Sequence, residues 1–298
     1  MNNNILSFRD NIFNIKDAKN FYIKKLSLKN FRNHKSLNLN LKNSSILVYG
    51  ENGSGKTNIL EAISLLNQGK GLKKANIENF LYKEKVHDNT NNTWGVNIDF
   101  VGPNGQFNIG TGLKKSGTNK SRIAKINSDY TPLSSLGEIL NISWITPQLC
   151  VLILSSMSEK RRFIDRLTMS IDSLHLNRVY KYNKLCRQRN KILMQSNSDT
   201  TWLDTIESQI SELSISIIAR RLDLLDELEN LYDIELENNQ LTEHFPSVGI
   251  TINGKIEKLL KEKPSVEVED YIKSELKKSR SDYELSVSGP NNSTIEIF

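Results

Sequence analysis

An α/β fold with an antiparallel β section and an inserted helical lobe is predicted by three features of this sequence. An apolar run, "SILVY" (45–49), leads straight into a glycine-rich loop and then into a helical pattern. Alternating segments between 93 and 127 read as strands, and beyond 158 helical spacing takes over. A chain of 298 residues has ample material for one large domain or two modest ones.

Residues 1–20 lack the apolar core of a signal peptide and are expected to form a disordered extension. "FYIKKLSL" (21–28) and "SLNLNL" (36–41) alternate apolar and polar residues, as half-buried strands do. "SILVY" is continuously apolar, as a strand covered on both faces would be. "KTNILEAISLLN" (56–67) places apolar residues at 59, 60, 63 and 66, a helical spacing. Between strand and helix, Gly50, Glu51, Asn52, Gly53, Ser54, Gly55, Lys56 and Thr57 match the phosphate-loop pattern in full. Glycines let the backbone fold into a nest of N–H groups facing phosphates, and the helix points its positive end at them. In that pattern Lys56 pairs the β- and γ-phosphates and the Thr57 hydroxyl ligates Mg²⁺. No Asn-Lys-x-Asp motif of GTP-specific proteins is present.

"TWGVNIDFV", "QFNIGTGL" and "SRIAKIN" continue as strands, with a hairpin turn at Gly102-Pro103-Asn104-Gly105. "SWITPQL" (143–149) reads as a further short strand or strand end. From 159 to 195 and 202 to 236 the chain is helical. Leu203, Ile210, Ile217, Leu224 and Leu231 recur every seven residues, with Ile206 and Leu213 between them. Arg220 and Glu227 interrupt the second stripe, which favours a helical hairpin with its own core over an extended coiled coil. Phe163 and Leu167 are expected in that core, and Asp165 in an ion pair on a helix surface. The tail from 262 is charged and turns extended around "SVSGP".

Hydrophobic residues make up 37% and charged ones 25%, a soluble globular composition. No run approaches the roughly 18 apolar residues of a membrane helix, so no membrane partner is expected. Cys150 and Cys186 form no metal or redox spacing, consistent with a reduced, cytoplasmic protein. His34, His87, His175 and His244 are scattered, so the expected metal is nucleotide-bound Mg²⁺ alone.

The excess of 40 basic over 34 acidic residues is mild, but its placement is informative. No acid occurs between Asp99 and Asp129, where Lys114, Lys115, Lys120, Arg122 and Lys125 fall. A second acid-free stretch, 173–198, carries Arg178, Lys181, Lys184, Arg187, Arg189 and Lys191. Positions 181, 184, 187 and 191 share one helix face, a comb suited to phosphates. Backbone contact rather than base reading is expected of such a face.

"IKKLSLKNFRNHKSLNLNL" followed by "YGENGSGKTNILEAI" resembles the head of the SMC-like ABC ATPases, and within them the RecF family. The resemblance continues through "WITPQ" (144–148), "EKRRFIDRL" (159–167), "YNKLCRQRNKIL" (182–193) and "SGP", covering nearly all of 21–290. It implies a P-loop NTPase of ABC/SMC-head type. Residues 21–158 would be an ATP-binding core (lobe I, incomplete), 159–280 a helical lobe II, and 281–298 a strand returning to the core. It further implies ATP and Mg²⁺ as cofactors and an ATP-dependent homodimer in the full-length form. Single-stranded and gapped double-stranded DNA and RecR- and RecO-type proteins would be its partners, in replication, repair and SOS induction. Gln148 would be the Q-loop residue contacting nucleotide and metal, and Arg32 a nucleotide-proximal cation. Lys114, Lys115, Arg178, Lys181, Lys184 and Arg187 are the candidate DNA contacts.

The sequence departs from that family in one respect. Neither a Ser-Gly-Gln-type signature nor four apolar residues followed by paired acids can be found. The resemblance then implies a chain that stops before the catalytic half, binds ATP, hydrolyses it negligibly and does not dimerise with it. Another SMC-like ATPase head and a small-molecule phosphotransferase are the alternative readings. The second would place the loop at the extreme N-terminus, followed by α/β alternation.

Overall fold

The structure is a computed structural model that describes residues 22–41, 45–82, 93–102, 105–194, 200–237, 248–280 and 289–298. The expected extension at 1–20 lies outside them. The chain divides into two compact units, 1–144 and 145–298. This boundary falls earlier than the expected one at 158. The reason is that the 3-10 turn Pro147–Leu154 packs on the helix that follows it, Met157–Thr168.

The first unit is built on a six-stranded sheet: β1 Tyr22–Phe31, β2 His34–Asn40, β3 Gly95–Gly102, β4 Gly105–Ser116, β5 Asn119–Ile126 and β6 Asp129–Thr131. Its order is β2-β1-β3-β4-β5-β6, antiparallel throughout. The strand alternation seen in the sequence sorts the two faces. Leu26 and Leu28, Val96, Ile98 and Phe100, and Ile109 and Ala124 point inward to a core closed by Ala62, Leu65 and Leu66. The last three belong to or adjoin helix α1, Lys56–Ser64. A four-residue helix, α2 (Leu136–Ile139), completes the unit.

Two expected strands do not form. Residues 45–50 have no regular structure, and Leu47 and Tyr49 are 83% and 86% exposed. A continuously apolar strand requires a hydrogen-bonded neighbour and cover on both faces, and among the described residues no strand pairs with this run. "SWITPQL" likewise gives an irregular stretch and then the 3-10 turn, with Pro147 supplying no ladder donor.

The second unit is helical. Helices α3 (Met157–Thr168), α4 (His175–Leu193), α5 (Thr200–Glu237), α6 (Lys255–Glu262) and α7 (Ser265–Lys278) surround the heptad stripe of α5. Leu203, Ile206, Ile210, Leu213, Ile217 and Leu224 are buried there, so the predicted hairpin with its own core is what the α4–α5 pair forms. No helix among the described residues is long and apolar enough to cross a membrane.

Asp165 corrects another expectation. It is buried rather than at a helix surface, because its position on α3 faces α5. Arg221 of α5 donates from Nε and Nη2 to its two oxygens at 2.8 and 3.1 Å, and His175 Nε2 lies 2.8 Å from Oδ1. Arg221 Nη1 also donates to the Pro290 carbonyl, at 2.7 Å, which ties the C-terminal loop to the helices. The expected return strand, β8 (Thr294–Ile297), pairs with β7 (Ile250–Asn253) inside this unit rather than with the core sheet. Residues 281–288, the first part of that segment, lie outside the described residues.

Burial alone would raise the Asp165 pKa, but the His175 hydrogen bond and the Arg221 charge outweigh it and hold the carboxyl below its ordinary value. The pair therefore stabilises the unit fully above the ordinary carboxyl range, and that contribution is lost as pH falls through the depressed value. Arg221→Met leaves a buried carboxylate with half its partners. It should destabilise the unit by about 3–5 kcal/mol at neutral pH, read from urea unfolding followed by circular dichroism. The gap between variant and wild type should shrink once the pH drops below about 4.

Candidate nucleotide-binding site

Residues 50–55 form a loop whose glycines Gly50, Gly53 and Gly55 have φ of 146°, 85° and 102°. These values lie in or near the left-handed region that side chains disfavour, which is why glycine recurs at this spacing. Gly55 is also the N-cap of α1, and its carbonyl accepts from the amides of Asn58 and Ile59. The free amides of the first turn thus face the loop. Lys56 Nζ donates to the carbonyls of Gly50 and Glu51, at 2.7 Å each, so its ammonium already sits inside the loop. Thr57, in the first turn of α1, is exposed.

The turn between β1 and β2 holds this loop from below. Phe31 pairs with His34, so Arg32 and Asn33 make a two-residue turn, with Arg32 left-handed at φ 55°. Arg32 Nε and Nη2 donate to the two oxygens of Glu61 at 2.8 and 2.7 Å, and Nη1 donates to the Asn79 carbonyl at 2.8 Å. Glu61 is fully buried on α1. The guanidinium carbon lies 4.9 Å from the centroid of Phe80, which stacks on Phe31. Asn33 Nδ2 donates to the Ser54 carbonyl at 3.2 Å, and Asn58 Nδ2 donates back to Asn33 Oδ1 at 2.8 Å. His34 lies 3.5 Å from the Gly55 carbonyl. A Cβ on Gly55 would come within 2.7 Å of both Asn33 and His34 side chains. The loop glycine is therefore needed for this packing as well as for its φ.

The far end of α1 is anchored from the sheet. Arg122 of β5 donates to the carbonyls of Leu65, Asn67 and Gly69 and to Thr111 Oγ1. Burial pushes this guanidinium down to about 10, still cationic at neutral pH and suited to the helix's negative end.

The predicted residues are brought together only in part. Gly50–Thr57 and Arg32 meet at one place, with Arg32 engaged by Glu61. Gln148 belongs to the second unit, in the 3-10 turn Pro147–Leu154. Glu61, Asn33, His34 and Asn58 were missed. Their only signal was an acid in the helix after the loop and polar residues flanking Arg32. Lys114 and Lys115 point to opposite faces of the β4–β5 hairpin. On α4, Lys181, Lys184, Arg187 and Lys191 are exposed, and none has an ion-pair partner among the described residues. Two other cations of that stretch are occupied. Arg178 pairs with Asp172, and Arg189 is buried on Glu207 at 2.8 Å.

A left-handed glycine loop capping a helix that opens Lys-Thr defines a phosphate-binding loop, and the first unit is of the P-loop nucleotide-binding class. The AAA domain family matches residues 25–284. DNA replication and repair protein RecF of Rickettsia africae is 34% identical over 264 residues, covering 88% of this chain and 69% of that protein. RecF of Mesorhizobium japonicum is 34% identical over 250 residues, covering 84% of this chain and 64% of its own length. A solved structure of the recombination mediator protein RecF with ATPrS, in the RecFOR pathway, superposes with a TM-score of 0.76 at 23% identity. It covers 94% of this chain and 74% of that one. The chain belongs to the RecF family. It spans 64% of the length of the Mesorhizobium relative.

Replacing Arg32 by Met alone should leave the buried Glu61 opposed only by Lys73, whose ammonium is 3.9 Å away, at a cost of about 3 kcal/mol. The double variant Arg32→Met with Glu61→Leu should recover most of that loss. Paired urea melts of the three proteins would measure it, and an unrecovered double variant would mean that the turn depends on Arg32 for more than its charge.

Proposed function

We propose that this chain binds ATP with Mg²⁺ at the loop Gly50–Thr57 and binds DNA electrostatically, as a RecF-type protein of DNA replication and repair. The observation that supports it most is the phosphate loop itself: its glycines are left-handed, its lysine is inside and a second element holds it in place. Mg²⁺ would be held by Thr57 together with phosphate oxygens, and Lys56 would exchange its two loop carbonyls for phosphate. Gln148 is the further residue assigned to nucleotide and metal by resemblance to the family.

In this reading Lys181, Lys184, Arg187 and Lys191 contact DNA phosphates without reading bases, and Lys114 and Lys115 supply further charge. The substrate is single-stranded or gapped double-stranded DNA met during replication, repair and SOS induction. RecO- and RecR-type proteins are the partners, which agrees with the RecFOR pathway of the structural relative. ATP-dependent dimerisation belongs to the full-length form, and the site of action is the cytoplasm.

Lys56→Ala should weaken ATP binding about ten- to a hundred-fold, the value of one charge-assisted contact. Titration calorimetry in Mg²⁺ would measure it, and equal affinity in both proteins would place the nucleotide elsewhere. DNA affinity should fall with salt at a log–log slope of about −3 to −4 if four cations engage phosphates. Reversing Lys181, Lys184 and Arg187 to Glu should weaken binding to all sequences alike and flatten that slope. An unchanged slope in the triple variant would remove α4 from the interface.

A further inference from the structure

The sheet of the first unit has a second face, opposite α1, and it is mostly polar, with Val101 and Ile123 its aliphatic residues among the described strands. Ser27 on β1, Asn38 on β2, and Asn97 and Asn108 on β3 and β4 share it by their register. In its middle, Gly110 and Gly112 carry no side chains and are themselves buried by their neighbours. Lys25, Lys29, Lys114 and Lys125 supply four positive charges. Asp99 is the only acid on this face among the described strand residues, and Asn108 Nδ2 donates to it at 2.7 Å.

Two aromatic side chains stand on this face, Tyr22 at the start of β1 and Tyr130 on β6. Tyr130 of β6 pairs with Lys125 and is 62% exposed. The ammonium groups of Lys125 and Lys114 lie 4.4 and 5.1 Å from its ring centroid. Ile123 lies on the same face two residues from Lys125, yet the Tyr130 ring remains largely in water. An exposed cation–π contact is also weaker than the stacking of a nucleobase on the same ring. A base can therefore displace an ammonium from the ring and leave it free for an adjacent phosphate. From β1 to β6 the face crosses four strand spacings, about 19 Å, enough for several nucleotides.

We propose that this outer sheet face binds a single DNA strand, with Tyr130 stacking on a base and Lys114 and Lys125 on the flanking phosphates. The inference rests on the DNA-binding reading above, and adds to it a contact that a paired duplex cannot make. A duplex buries its base faces, so Tyr130 discriminates strand state, whereas the comb on α4 does not.

The test compares wild type, Tyr130→Ala and Tyr130→Phe on a labelled thymidylate oligomer of about 16 nucleotides and on a duplex of equal length. Affinity is read by fluorescence anisotropy at fixed low salt, with circular dichroism melting as the folding control. Tyr130→Ala should lose about ten-fold on the single strand and nothing on the duplex, and Tyr130→Phe should bind both as wild type does. Equal single-strand affinity in wild type and Tyr130→Ala overturns the proposal while leaving the DNA reading intact. Equal losses on both DNAs overturn it too, since they would make Tyr130 a support for the lysines rather than a stacking group. Binding of neither DNA by the wild-type protein would overturn the DNA reading and this proposal together.

Discussion

The ion pair between Arg32 and Glu61 is the contact on which the first unit's chemistry depends. Two hydrogen bonds of 2.8 and 2.7 Å join the β1–β2 turn to the middle of α1. A charge on a fully buried carboxylate is expensive unless matched, so α1 can sit in only one position along the turn. That position in turn brings Asn33 under Ser54 and His34 beside Gly55. Arg122 grips the other end of the same helix. The phosphate loop is therefore held in shape by groups that need not touch a ligand, and the ordering cost is met during folding rather than on binding.

The second unit uses the same device twice. Arg221 with Asp165 and His175 joins α3, α4 and α5 at one end of the bundle. Arg189 and Arg280 converge on Glu207 where α4, α5 and α7 meet. Apolar helix faces can slide by a turn at small cost, whereas a buried pair fixes the register. In this unit the leucine stripe of α5 supplies the burial and the ion pairs select the alignment.

The parts legible in the sequence were those set by local geometry. Left-handed backbone needs glycine, so the loop at 50–55 could be located from spacing alone. The heptad of α5 and the period-two pattern of β1 and β2 follow from side-chain directions fixed by the backbone. What escaped was set by distant partners. "SILVY" has the composition of a covered strand, but pairing is a property of the neighbour, and none stands beside it among the described residues. Periodicity placed Lys184 and Arg189 in one basic stretch, yet only the fold shows that Glu207 takes one of them inward. Glu61 gave little signal either, because its partner lies 29 residues earlier in the chain.

The β4–β5 hairpin serves both faces of the sheet with consecutive residues. Arg122 and Ala124 turn toward α1, while Lys125 turns toward the opposite surface. Such a segment accepts changes of side chain far more readily than changes of length. An insertion or deletion of one residue within β4 or β5 would exchange the two faces from that point to the nearest turn. Arg122 would then leave the carbonyls of Leu65 and Asn67 for solvent, and Ile123 would be driven against the end of α1. A change of length is accordingly best accommodated in the turns at 117–118 and 127–128, outside the paired strands.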